Sequence, residues 1–185
     1  YSCLRVVVER NEVDTLVGET VSGELNAYGI SFTSLVSTSD FVQNPQSTDC
    51  VVRHNRVRNI PTWTGIDTHG GLRIRIYGNE LDDCRRGIIL TNLTTRGASY
   101  CTVDSNTLRN SLTGANTNGT RRQGEAFWDI GVSDAIRNQY NRFTNNRVFQ
   151  HGNSHALEGC AYINFSEDGV FDGNVLQEPY RSEEH

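Results

Sequence analysis

The chain has no lysine and no methionine, and no stretch of it reaches the roughly 18 consecutive apolar residues that a membrane-spanning helix needs. The last absence excludes a helical membrane span. The missing lysines, set against 17 basic residues that are therefore all arginine, read as a coding-composition bias and not as chemistry. There is little positive charge to spare: the net charge is −5 and the pI about 5.5, which argues against a nucleic-acid surface. Hydrophobic residues make up only 36%, a low share that suits thin repeats burying one face of each strand. No signal-peptide pattern opens the sequence. The cysteines number five, and Cys3, Cys84 and Cys160 show no metal-ligand spacing. Cys50 and Cys101 share one position in the repeat described next, two repeats apart. That is roughly 9–10 Å at sheet spacing, beyond the reach of a disulfide. The five therefore read as free thiols acting as small hydrophobes.

What the chain does have is one frame repeated six times, centred on Asn11, Asn55, Asn79, Asn106, Asn146 and Asn174. The segments are VVVERNEV (Val6 to Val13), CVVRHNRV (Cys50 to Val57), IRIYGNEL (Ile74 to Leu81), CTVDSNTL (Cys101 to Leu108), NRFTNNRV (Asn141 to Val148) and GVFDGNVL (Gly169 to Leu176). Each Asn follows a short apolar strand and precedes, by two residues, Val or Leu. Asparagine tolerates the left-handed backbone region better than other non-glycine residues, so the frame predicts a bend made at each Asn. Between consecutive asparagines lies one more short strand, centred on Ile30, Ile66, Ile88, Ile130 and Ile163, with apolar residues two apart on its inward face. Repetition on this scale points to a solenoid.

The fold this combination predicts is all-β. It resembles the right-handed parallel β-helix of the pectate-lyase type, with about six coils in a single domain over residues 1–185. The alternative is an antiparallel sandwich in which the asparagines are hairpin turns. Against it, no frame Asn is followed by Gly, and the intervals of 24 to 44 residues are long for hairpins. The chain enters a strand-like run at Leu4 to Val8 with no capping helix ahead of it. The expectation is a segment of a longer β-helix, or a first coil covered by a partner chain.

The candidate chemistry centres on Gly65-Ile66-Asp67-Thr68-His69-Gly70-Gly71. With Ile66 and Thr68 inward, alternation puts Asp67 and His69 outward on one face, where a carboxylate and an imidazole can supply a base and its charge partner. The bland alternative is a surface His near a turn. Stacking the frame places Ser31, Ile89, Gly131 and Asn164 over Asp67, and Thr33, Thr91, Ser133 and Ser166 over His69, a hydroxyl-rich face suited to sugar. Two insertions, Thr33 to Thr48 and Asn110 to Glu125, are expected to wall a groove above it. Arg121 and Arg122 would meet an anionic chain from the second. Trp63, Phe127, Trp128 and Tyr162 lie at strand starts, and for each, stacking on sugar rings stands beside plain core packing. Asn164 is a further substrate-binding candidate. No cofactor is called for: a calcium site needs several carboxylates together, and this face offers only Asp67 and Asp129.

The D-x-H of Asp67 and His69 is similar to that on a central strand of β-helical mannuronan epimerases and related polysaccharide lyases. The resemblance implies that both residues take part in proton abstraction and return at a uronic-acid C5. The lysine of that family has no counterpart here, and Trp63 or Thr64 stands where its tyrosine would be. The polygalacturonase acidic cluster is absent, since Asp82 and Asp83 fall after an Asn bend. The THGG strand end, the following IxIxxN and the CRRGI strand start, over Gly65 to Leu90, resemble β-helical segments of bacteriophage tail spikes and minor tail proteins. That resemblance implies an extracellular or virion protein binding or cleaving host surface polysaccharide, as a homotrimer or beside other tail proteins. A secreted polysaccharide lyase or C5-epimerase and a non-catalytic stalk are the alternatives.

Overall fold

The computed structural model of the chain describes residues 2–16, 18–21, 24–33, 45–93, 95–110, 124–151 and 160–177. Among them there is no helix, and the two principal sheets are parallel throughout. The strand before each frame Asn joins a six-stranded sheet: Val7–Glu9, Val51–Arg53, Arg75–Tyr77, Thr102–Asp104, Arg142–Thr144 and Val170–Asp172, in that order. The strand after each Asn joins a nine-stranded sheet, where Glu12–Asp14, Arg56–His69, Glu80–Thr91, Thr107–Arg109, Arg147–Phe149 and Val175–Gln177 again lie in chain order. Tyr28–Phe32, Phe127–Ile130 and Ala161–Asn164 extend the same sheet beside the distal halves of the two long strands. Among the described strands only the small pair Glu19–Val21 and Glu24–Asn26 is antiparallel, beside the isolated antiparallel bridges Leu93–Arg96 and Ser133–Ile136. Parallel pairing of every frame strand removes the antiparallel sandwich.

Alternation builds the core. Val52, Ile76, Val103 and Phe143 stack in register on one inner face, and Val57, Leu81, Leu108 and Val148 on the other, all at 3% exposure or less. A third column runs Ile30, Ile66, Ile88, Phe127 and Ala161. Ile130 and Ile163, the expected continuation of this column, are not in it: Phe127 pairs with Ile88, and Ile163 is 56% exposed. The spacing is broken by the insertion before Phe127, and the larger ring takes the inward place three residues early.

The asparagines do not make the bend themselves. The residue before each one is left-handed instead: Arg10, His54, Gly78, Ser105, Asn145 and Gly173, with φ between 53° and 62°. Two further left-handed columns, starting at Arg5 and Thr15, mark the other corners of the repeat. The Asn side chains are turned inward and spent on one another. From Asn55 to Asn174, each Oδ1 accepts from both the backbone N–H and the Nδ2 of the preceding frame Asn at 2.9–3.0 Å. The other Nδ2 proton goes to a carbonyl of the preceding repeat, as from Asn106 to Ile76. A carboxamide carries an acceptor oxygen and two donor protons at opposite ends of one short side chain, so the ladder stitches every repeat to the next inside the core.

The five cysteines are free, and burial pushes the Cys84 and Cys101 thiols up to about 12, which keeps them protonated and inert.

The Gly-Ile step of the third column also has a packing cause. A Cβ on Gly65 would lie 2.6 Å from Leu81 Cδ2, and one on Gly87 would meet both Leu108 Cδ2 and the Ala126 carbonyl oxygen. Backbone at Ala126 yields less readily than a side-chain tip, so Gly87→Ala is expected to cost about 1–3 kcal/mol by overpacking. Thermal denaturation checks this, with Gly169→Ala as the control, because its nearest contacts are 3.4 Å or more away.

Candidate functional site

Asp67 and His69 end the strand Arg56–His69 and share the face opposite the inward Ile66 and Thr68, as alternation requires. Thr68 is held inward by its hydroxyl, which donates to the Phe32 carbonyl at 3.0 Å. Across the intervening residue, His69 Nε2 lies 2.8 Å from Asp67 Oδ2. The two differ sharply in access: the Asp67 side chain is 1% exposed and that of His69 27%. Burial alone would pull the imidazole down, but the hydrogen bond and charge of Asp67, together with a bond to the Asn92 backbone, outweigh it and hold the imidazole above its ordinary value. The protonated ring is the state this pocket favours. Tyr28 packs edge-on against the His69 ring at 5.9 Å between centroids.

Beside the pair lies an arrangement the motifs did not reveal. Arg86, 3% exposed, is sandwiched between two indoles, its guanidinium carbon 4.3 Å from the Trp63 ring centre and 4.0 Å from that of Trp128. Glu125 is 4.0 Å from it and equally buried. Trp63 packs against Tyr28 at 6.5 Å, and Trp128 against Tyr162 at 5.8 Å. The signal was present in the frame: Arg86 precedes Gly87-Ile88 as Thr64 precedes Gly65-Ile66, and the two residues pair.

Of the candidates, Asp67, His69, Trp63 and Trp128 lie on one side of the nine-stranded sheet. Arg121 and Arg122 lie outside the described residues, as does most of both insertions, residues 34–44 and 111–123. The expected stacking fails beyond Ile89. The Asp67 column continues as Trp128 and Tyr162, not Gly131 and Asn164. Asn164 pairs with Ile130 at the strand end, its amide 3.5 Å from the Tyr162 hydroxyl. Ser31 beside Asp67 and Thr91 beside His69 stand where expected, and beyond Ile89 the face turns aromatic. Ser166 turns inward to donate to Asp129, and Asp129 itself sits in the inner Thr68–Leu90 column, where Asn138 and Asn141 donate to its Oδ1 at 2.7 and 2.9 Å. Asp129 is therefore spent inside the core and unavailable to the outer face. Among the described residues no group of three or more His, Cys, Asp and Glu is placed to hold a metal ion.

Chemically, the Asp67–His69 pair is an imidazole steered by a buried carboxylate that favours its protonated form, with only the imidazole open to solvent. It can donate a proton or meet an anion. Comparison with protein-family models, with curated proteins and with solved structures gives no match.

Proposed function

We propose that the chain is a section of a right-handed parallel β-helix that acts on or binds a host cell-surface polysaccharide, as part of a bacteriophage tail spike or related tail protein. The solenoid reading is supported by six strands in each sheet lying in chain order, in register, with the same left-handed corners repeated. The observation that carries the functional reading is the 2.8 Å Asp67–His69 contact on a face flanked by Trp63 and Trp128. His69 is the group that can touch a substrate, and Asp67 is its positioning residue. In an elimination on a uronic-acid chain, a base takes the C5 proton and an acid protonates the departing glycosidic oxygen; the imidazolium is suited to the second role. Association as a homotrimer or with neighbouring tail proteins belongs to the same proposal.

Incubation with capsular and lipopolysaccharide polymers, followed by product analysis, tests it. Unsaturated ends indicate a lyase and new reducing ends a hydrolase. His69→Ala is expected to lower turnover by about 10²–10⁴-fold and to lower the melting temperature as well, because it leaves the buried Asp67 carboxylate without its 2.8 Å partner. Asp67→Asn removes the charge that raises the imidazole, so its pH profile should lose activity at lower pH than the wild type. Thr91→Ala is the control. Equal turnover in all four proteins removes the catalytic reading. The burial of Asp67 also fits a stalk that binds no ligand, and failure to bind any glycan on an array would select it.

A further inference from the structure

Strands stacked parallel and in register set equivalent residues in columns along the outer face. Among the short strands flanking the frame asparagines, the columns that carry arginine carry carboxylates too, with one exception. Arg53 meets Glu9 at 2.5 Å, Arg58 reaches both Glu12 and Asp14, and Arg56 stands in register between Glu12 and Glu80. The exception, on the six-stranded sheet, runs Val7, Val51, Arg75, Thr102, Arg142 and Val170. It places an exposed arginine on each side of a threonine, with no carboxylate in line. Among the described residues neither guanidinium has an ion pair or a hydrogen bond, and Arg75 lies over the Tyr77 ring at 5.3 Å. In the adjoining column the Asp104 carboxylate is occupied by Thr144, Asn145 and Ser105.

The surface dips beside this column. Asp49, Val51, Arg73, Arg75, Tyr100 and Thr102 line an open depression of about 400 Å³, within the usual size range of small-ligand clefts. Its two other charges cancel, because Arg73 holds Asp49 through bonds of 2.6 and 2.9 Å. Arg75 is left as the free cation of the depression, and Arg142 stands across Thr102 from it. Tyr100 is 54% exposed and is braced by Tyr140, stacked on it at 4.8 Å between centroids. The two arginines are two interstrand steps apart, roughly 9–10 Å, a span that two long side chains can close over the threonine hydroxyl. A guanidinium fork matches an oxyanion through two parallel hydrogen bonds.

We infer that this depression is a second glycan site that takes an acidic sugar, with the ring against Tyr100 and the sugar's carboxylate over Thr102 between Arg75 and Arg142. It lies on the six-stranded sheet, whereas Asp67 and His69 belong to the nine-stranded one. The inference rests on the polysaccharide reading above and adds to it a chemical class, the uronic acids, and a place for them to dock. Aromatic faces suit the C–H faces of sugar rings, while the arginines and the Thr102 hydroxyl supply donors for the anion. The chain as a whole carries a net charge of −5 and repels a polyanion over most of its surface. A carboxylate-free stripe of arginine therefore fixes where such a chain lands.

The test is calorimetric titration of the whole chain, at low salt, with galacturonate and mannuronate oligomers, neutral malto-oligomers, and inorganic sulfate and phosphate. The uronate oligomers are expected to bind, and the neutral ones to bind at least about 10-fold more weakly. Arg75→Gln and Arg142→Gln should each weaken uronate binding by about 10-fold, the worth of one hydrogen bond to a charged group. Thr102→Val and Tyr100→Leu should weaken it by less. All four side chains face outward, so the melting temperature should hold. Arg147→Gln makes the same charge change at an exposed position of the other sheet and should leave the affinity unchanged. An equal loss in Arg147→Gln would mean diffuse charge attraction and overturn the site. Sulfate or phosphate binding as tightly as the uronates, with Tyr100→Leu silent, would make it a bare oxyanion site and overturn the assignment to a sugar. Uronate binding that is lost in His69→Ala and kept in both arginine variants would move the acidic sugar to the other sheet, overturning this site and leaving the polysaccharide reading intact. No binding by any oligomer overturns the site, and the assay on capsular and lipopolysaccharide polymers then decides the broader reading by itself.

Discussion

Asn106→Ala should be the most destabilising single substitution in the frame, by about 3–5 kcal/mol. Asn106 is 1% exposed and holds four bonds of the ladder. Its loss leaves the backbone N–H of Asn79 without its acceptor, takes one acceptor from Asn79 Nδ2, and removes one donor each from the Ile76 carbonyl and from Asn146 Oδ1, which keeps only the Asn106 backbone N–H of its two ladder donors. A buried polar group left without a partner costs about 1–3 kcal/mol, and partial relaxation keeps the total below the simple sum. Asn11→Ala is the matched control. Asn11 is exposed and only donates within the ladder, so its removal should cost under about 1 kcal/mol. Urea denaturation of the two variants separates the cases. Equal losses would mean that the ladder accompanies the stack without holding it.

The second large effect is acid lability at His151. This imidazole is fully buried, its Nδ1 bonds the Gly124 carbonyl at 3.2 Å, and its Nε2 has no hydrogen-bond partner among the described residues. Burial lowers it to about 4 against the opposing pull of the Gly124 and Arg109 backbone bonds and the Asp82 charge. A group with its folded value depressed below the unfolded value of about 6.5 favours folding fully above that pH. Its contribution is lost as pH falls from about 6.5 toward 4, because the unfolded chain takes up the proton first. A gap of some two and a half pH units is worth about 3 kcal/mol. His69 works in the opposite sense. Its value is raised, so its contribution is complete below about 6.5 and is lost as pH climbs through the raised value. The wild type should therefore lose about 2–3 kcal/mol more than His151→Leu between pH 7 and pH 4.5, a window above the range where most carboxylates protonate. Parallel losses in the two proteins would assign the acid response to the carboxylates.

The repeat was legible because two chemistries recur at fixed offsets. A carboxamide at each Asn position and an aliphatic two residues later follow directly from a ladder that needs a donor and acceptor in one side chain, and from an inward column. The corners were not legible. Left-handed residues include Arg10, His54, Asp49, Tyr100 and Tyr140 beside the glycines, and no composition marks such positions when tertiary packing over-determines the backbone. The register beyond Ile89 was lost for a related reason. A sixteen-residue insertion erases the spacing, and Phe127 and Ile130 compete as the inward residue until the neighbouring strand decides. The Asp67–His69 pair was readable from alternation alone. That Asp67 would be buried and His69 open was not, because cover over a sheet face comes from residues distant in sequence. Arg86 was missed because an Arg-Arg pair at a strand start reads as a solvated one, although its frame position put it between two tryptophans.

The most direct test of the central claim, a proton-bearing imidazole steered by a buried carboxylate, is a ¹⁵N NMR titration of the histidine ring nitrogens. The account predicts that His69 shows both nitrogens protonated at pH 6.5 and loses its proton only above that value, and that Asp67→Asn shifts the midpoint downward. A His69 ring that titrates at or below 6.5, with no response to Asp67→Asn, would contradict it.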